Sequence, residues 1–282
     1  MEMEMKRLVL FSVGLLLLLG FAQSIDITEA DLKSDETKMA LYDRWRAEYK
    51  IPDPSPQEKT KRFKAFKMNL DRVESRNAAK LPYKLKLNKF ADLTNDEFKL
   101  LYTGTHSRHG RTLMSQGGAP ADNAAKTQPP PAVDWRTQNA VTPVRDQGQC
   151  GGTCNKEKAA NKAVKIDGYK DVPMENAAAL MKAVANQPVV ACIDTSTEFQ
   201  LYSEGIFSGE CGRELSHGLV VVGYDDAQKF WILKNSWGED WGEGGYIRLQ
   251  KDAPDPWGMC GILLEASYPI IKDGNQPPKE EF

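Results

Sequence analysis

The feature that most restricts the fold of this chain is a break in pattern. Residues 103–130 are crowded with Gly, Pro, Ser, Ala and Gln and carry no apolar periodicity, so they read as a flexible linker rather than a packed element. A linker there divides the chain into two separately patterned parts, 25–102 and 131–282. His106 and His109 lie in this tract, and two imidazoles without a third ligand do not make a metal site.

The first part reads as helices. Met39, Tyr42, Trp45 and Tyr49 recur at three- and four-residue steps, one apolar face of a helix over 34–50 that the prolines of 51–56 end. Ser55, Pro56 and Glu58 supply an N-cap, a proline at the first helical position and the carboxylate of a capping box. Glu58, Arg62, Phe66, Asn69, Val73 and Asn77 then share one stripe. A third helix opens at Thr94, with Glu97 reaching back and Leu93 stapling onto Phe98. Between these helices, 83–90 alternates as a strand does.

The second part reads as a helix over 174–186, stopped by Pro188, and short strands at 189–194, 219–224, 230–234, 246–250 and 262–268. The class is α+β. Net charge differs in sign, +5 over 25–130 and −7 over 131–282, which favours docking of one part on the other.

One apolar run, 8–21, follows Lys6 and Arg7 and precedes Ala22, Gln23 and Ser24. Its length and flanks fit a cleavable secretory signal over 1–24 better than a membrane anchor. Across 282 residues, 37 basic side chains nearly balance 39 acidic ones. That balance points to neither nucleic acid nor an acidic membrane surface as a partner, and no membrane contact is expected once the signal is cut. Five cysteines in an exported chain make disulfides expected and leave at least one thiol unpaired. The absence of any Asn-x-Ser or Asn-x-Thr acceptor argues against N-glycosylation.

Several segments together resemble a papain-like cysteine peptidase of plant type, carried as a precursor with its inhibitory pro-region. They are Val133-Asp134-Trp135-Arg136, the run from Val141 through Gln147 to Gly151, Ser216-His217-Gly218, and Lys234-Asn235-Ser236-Trp237-Gly238 followed by Trp241-Gly242. The stripe from Glu58 to Asn77 resembles the family's pro-region helix, with Val73 where isoleucine is usual. Asn88, Phe90 and Asp92 resemble its second motif, with Lys86 where glycine is usual.

The resemblance implies roles. His217 would take a thiol proton and hold the thiolate as an ion pair. Asn235 would orient that ring, Trp237 would shield the contact, and Gln147 would donate its amide to the developing oxyanion. Cys211 and Cys260 would pair, no cofactor or metal is implied, and the substrate would be a peptide or protein. The route would be secretory, to a vacuole or lysosome or to the outside. The tail Lys279-Glu280-Glu281-Phe282 is similar to a retrieval signal but departs from its standard form.

The pattern breaks at the nucleophile. The family reads Cys-Gly, Ser or Ala, then the reactive Cys and an aromatic; this chain reads Cys150-Gly151-Gly152-Thr153-Cys154-Asn155. Thr153 takes the nucleophile's place. Cys154, a surrogate one residue late, is turned by about 100 degrees on a helix, aiming its sulfur away from His217. His217 also lies only 67 residues beyond Cys150, against about 130 or more in the family. An internal deletion at Gly151 and Gly152 follows, removing the nucleophile, its helix and most of the helical half, so that mainly the antiparallel β-barrel half remains. Cys150 and Cys154 then lack their usual partners, and Cys192 is a buried thiol. Four readings compete: an impaired peptidase precursor, a pro-domain inhibiting related peptidases in trans, a displaced nucleophile at Cys154, and a mis-assembled product that does not fold stably.

Overall fold

The structure, a computed structural model, describes residues 25–104, 119–120, 128–160 and 164–271. The signal expected over 1–24, His106 and His109, and the tail Lys279–Phe282 lie outside the described residues.

Helix α1 (Asp35–Glu48) is capped by Ser34 through a reciprocal box in which the Thr37 hydroxyl takes the place of the usual carboxylate. Helix α2 (Pro56–Ala78) starts as its sequence dictates, with Ser55 Oγ accepting from Glu58 N at 3.3 Å. The Glu58 carboxylate does not reach back, however. It accepts from Arg62 Nε at 2.7 Å, because a guanidinium one turn on offers a charge-assisted bond that a neutral amide does not match.

The stripe on α2 grips the segment that follows it. Phe66 and Val73 are buried, and Asn69 Nδ2 donates to the carbonyls of Ala91 and Leu93 at 2.8 and 2.9 Å. Asn77 both donates to Leu85 O and accepts from Leu85 N. From α1, Trp45 Nε1 reaches Leu87 O and Asn88 O. The strand expected over 83–90 therefore ends early: β1 is Tyr83–Leu85, since side chains take the backbone groups a strand partner would need. Helix α3 (Asn95–Tyr102) carries the anticipated box between Thr94 and Glu97.

Inside the tract read as a linker lies the short strand β2 (Ala119–Pro120), and after that tract come β3 (Ala132–Asp134), α4 (Lys156–Ala160), β4 (Gly168–Asp171) and α5 (Ala177–Asn186). Then follow β5 (Val189–Ile193), α6 (Thr197–Gln200), β6 (Tyr202–Phe207), β7 (His217–Asp225), β8 (Phe230–Lys234), β9 (Tyr246–Gln250) and β10 (Ala266–Ile270). The strands form one sheet in the order β1-β6-β9-β8-β7-β5-β10-β4-β2, with β3 on β7. No pair joins its ends, so the barrel half is an open sheet among the described residues. Pairing is antiparallel except for β6 with β9 and β2 with β4.

The strand expected over 262–268 begins later, at Ala266. Gly258, Cys260 and Gly261 all have positive φ, and the Cys211–Cys260 disulfide holds that loop. Helix α5 starts at Ala177 rather than 174, because Glu175 has positive φ and Asn176 supplies the cap.

One apolar core runs through both parts. Phe98 meets Trp237 edge-on at 4.9 Å and Tyr83 meets Phe207 at 5.0 Å. Charge follows the expected division: Arg72 and Arg76 pair with Glu198, Arg76 also with Glu210, Lys89 with Asp146, and Lys99 with Asp194. Every cation in these pairs comes from the helical part and every anion from the sheet part. Elsewhere in the sheet part, α4 buries no residue, and Val164, Ile166 and Met174 stand exposed.

Candidate active site

The register of β7 and β8 builds the site. Val220 faces Lys234 and Val221 faces Leu233, and continuing that ladder past the end of β8 brings His217 opposite Trp237. The two rings stack at 4.5 Å and 18°. Asn235, the first residue beyond β8, places Oδ1 2.9 Å from His217 Nε2. Because Asn235 Oδ1 already accepts from the Ser236 amide at 2.8 Å, the imidazole is the donor in that contact. Nδ1 is left as the basic nitrogen.

His217 is 4 % exposed. Burial pushes its pKa down from 6.5 to about 4, and the Asn235 bond offsets only part of this. The ring is therefore neutral at mildly acidic pH. Asn235 Nδ2 is buried without a hydrogen-bond partner among the described residues.

Gln147 joins the pair through Ser236. Its amide N–H donates to Ser236 O at 2.8 Å, and its Oε1 accepts from Ser236 Oγ at 2.6 Å. Its Nε2 donates to Tyr102 O at 2.9 Å, and Trp237 Nε1 donates to the same carbonyl at 3.2 Å. The last residue of α3 thus occupies the amide that sequence reasoning assigns to an oxyanion. Cys150 N donates to Leu101 O at 2.6 Å, so the end of the helical part is held at two successive carbonyls. Sequence reasoning missed Tyr102, since a backbone acceptor leaves no side-chain signature. Ser236 lies inside the Asn-Ser-Trp-Gly run, but its link to Gln147 was not read from it.

Each cysteine has a place. Cys211 and Cys260 are bonded. Cys192 pairs with Gly218 while Ile193 pairs with His217, so strand alternation puts the Cys192 side chain on the opposite face from the imidazole. Cys192 is half-buried rather than fully buried, and burial raises its thiol pKa. Cys150 is exposed and unbonded, its Sγ 3.7 Å from Gln147 Nε2. Cys154 is exposed and makes no hydrogen bond to His217, Asn235 or Gln147 among the described residues. Thus His217, Asn235 and Gln147 converge and Cys154 does not join them.

Two sequence families match this chain. The papain family cysteine protease profile matches residues 151–270, and the cathepsin propeptide inhibitor domain (I29) matches residues 42–98. Vignain of Ricinus communis is 38 % identical, covering 99 % of this chain and 100 % of its own. That alignment runs over 363 positions against 282 residues here, so part of the relative's length faces no residue of this chain. The KDEL-tailed cysteine endopeptidase CEP2 of Arabidopsis thaliana is 36 % identical over 98 % of this chain and 98 % of its own. Among solved structures, the proform of the ragweed pollen cysteine protease Amb a 11 superposes with a TM-score of 0.78. It is 34 % identical and covers 89 % of this chain and 100 % of its own. A recombinant stem bromelain precursor gives 0.72 at 28 % identity, covering 83 % and 99 %.

Proposed function

This chain belongs to the papain family of cysteine proteases, as a plant-type precursor with its propeptide inhibitor attached, and from that premise we propose that it is a zymogen impaired in peptide hydrolysis. His217 is the retained base, Asn235 its orienting partner, Trp237 the shield and Gln147 the oxyanion donor. The attacking thiol is what the segment lost at Gly151 and Gly152 would have carried. The observation that supports this best is that His217 is stacked on Trp237 and bonded to Asn235, while Cys150 and Cys154 are exposed and neither makes a hydrogen bond to the ring among the described residues. Burial leaves that ring neutral, its pKa pushed down to about 4, and a thiolate beside it would raise that value.

We divide the chain into a signal at 1–24, an inhibitory pro-domain at 25–102, a linker at 103–130 and a truncated peptidase domain at 131–282. It takes the secretory route toward a vacuole, a lysosome or the outside, and its substrate class is peptide or protein. Cys154 is not a working surrogate: C154A leaves any measured activity unchanged. The deciding experiment removes the pro-domain and offers peptide substrates and a peptidyl epoxide. The expected result is no turnover and no adduct, and turnover with one labelled cysteine overturns the proposal.

A second reading is favoured by the complete helical stripe and the one-sided charge pairing. The pro-domain inhibits related peptidases in trans, and failure of the 25–102 segment to slow such an enzyme at micromolar concentration dismisses it.

A further inference from the structure

Glu198 lies on α6, in the sheet part, with its side chain 1 % exposed. A carboxylate out of water is costly unless it is paired and hydrogen-bonded. All three of its charged and hydroxyl partners come from the helical domain: Arg76 Nε at 2.5 Å, Arg72 at 3.4 Å and Tyr83 Oη at 2.5 Å. Without that domain, Glu198 has lost each of them.

The peptidase surface is also shaped for this contact. A Cβ on Gly209 would stand 2.5 Å from the Glu198 carboxylate and 2.8 Å from the Tyr83 hydroxyl. A Cβ on Gly205 would stand 2.3 Å from Pro82 O, the carbonyl that accepts from Ile206 N at 2.9 Å. Two bare positions therefore admit the helical domain, its backbone at Gly205 and its phenol beside the buried carboxylate at Gly209. Gln200, fully buried, donates to Phe90 O and Leu93 O, while Asn88 Nδ2 donates to Gln200 O. These bonds pair neutral amides with carbonyls, whereas the Glu198 contact sets a buried negative side chain against two guanidiniums and so carries the charge selectivity of the interface.

We propose that Glu198 is the recognition centre by which this pro-domain selects its peptidase. The partner it fits is a papain-type domain with a carboxylate at that place and glycine at the places of Gly205 and Gly209. The inference deepens the trans-inhibitor reading and rests on it for any partner other than the chain itself.

A charge-swap cycle in the full chain tests it, using E198R, the pair R72E/R76E, and all three together, with E198Q as an isosteric control. The readout is hydrogen exchange at the Lys86 and Ile206 amides, which bond to Leu201 O and Pro82 O across the contact. E198R and R72E/R76E should each lower protection there by about a hundredfold or more, the scale of breaking a buried pair. The three changes together should recover it to within about tenfold, because only neighbouring sites couple in this way. Amides of the β7–β8 ladder serve as the folding control. If E198R unfolds that ladder too, E198Q decides, with about a tenfold loss confined to the two contact amides expected. Unchanged protection in E198Q, or no recovery in the triple variant, overturns the proposal.

The E198R chain also carries an unaltered but released pro-domain, so adding it to an active peptidase that bears the carboxylate tests trans inhibition separately. Slowing there, absent when R72E/R76E is added to E198R, supports both ideas. A closed exchange cycle without slowing leaves Glu198 as the cis contact and removes only the trans reading.

Discussion

Lowering the pH should reveal whether His217 stands alone. In the folded chain its pKa is about 4, against 6.5 for an unperturbed imidazole. Folding therefore favours the neutral ring, and the stability this gives is complete above pH 6.5 and is lost as pH falls toward 4. The two and a half units correspond to about 3 kcal/mol at 1.36 kcal/mol per unit. Urea unfolding of the wild type and of His217→Gln at pH 7 and pH 4 isolates that share, because every other carboxylate and histidine is common to both proteins. The wild type should lose about 3 kcal/mol more than the variant over this interval. A ring-carbon NMR titration should place the midpoint near 4. A midpoint at or above 6.5 would mean that an anion faces the imidazole, and the argument for a missing thiol would collapse.

Three further outcomes follow from the geometry. Asn69→Ala orphans the Ala91 carbonyl, while Leu93 O keeps its bond from Gln200. It should cost about 2 kcal/mol, seen as a Tm lower by about 4–8 °C, and a shift under about 1 °C would count against the stripe as a clamp. Replacing Cys211 and Cys260 together by alanine opens a loop of separation 49 and should cost about 4 kcal/mol by chain entropy, measurable as a lower urea midpoint. Iodoacetamide should modify the exposed Cys150 and Cys154 well before the half-buried Cys192. Mass spectrometry that finds Cys192 first would contradict the placement of its strand.

The legible parts of this molecule were those whose cause is local. Caps at Ser55 and Thr94 announce helices because a side-chain oxygen three residues from an amide settles the matter within one turn. His217 and Asn235 were readable since their neighbours, Gly218 and Ser236-Trp237-Gly238, keep the family's order. Strand β6 was not readable: its residues Tyr202–Phe207 become a strand through pairing with β1 and β9, two segments distant in sequence. The capping box at Glu58 failed for a local reason instead, as Arg62, one turn on, competed for the same carboxylate. The Tyr102 carbonyl on Gln147 and Trp237 depends on where α3 is set down against the sheet, which no window of sequence contains.

Strand β1 closes one border of the sheet, yet it is a loan from the inhibitory segment: Tyr83–Leu85 pair with Gly205, Glu204 and Tyr202 of β6. Whatever event strips that segment away uncovers a row of unpaired amides and carbonyls along β6, the kind of rim on which extended chains add themselves. Maturation in this molecule would thus create a sticky border at the same moment that it removes the inhibitor. A stripped peptidase half should be more prone to self-association than its parent chain.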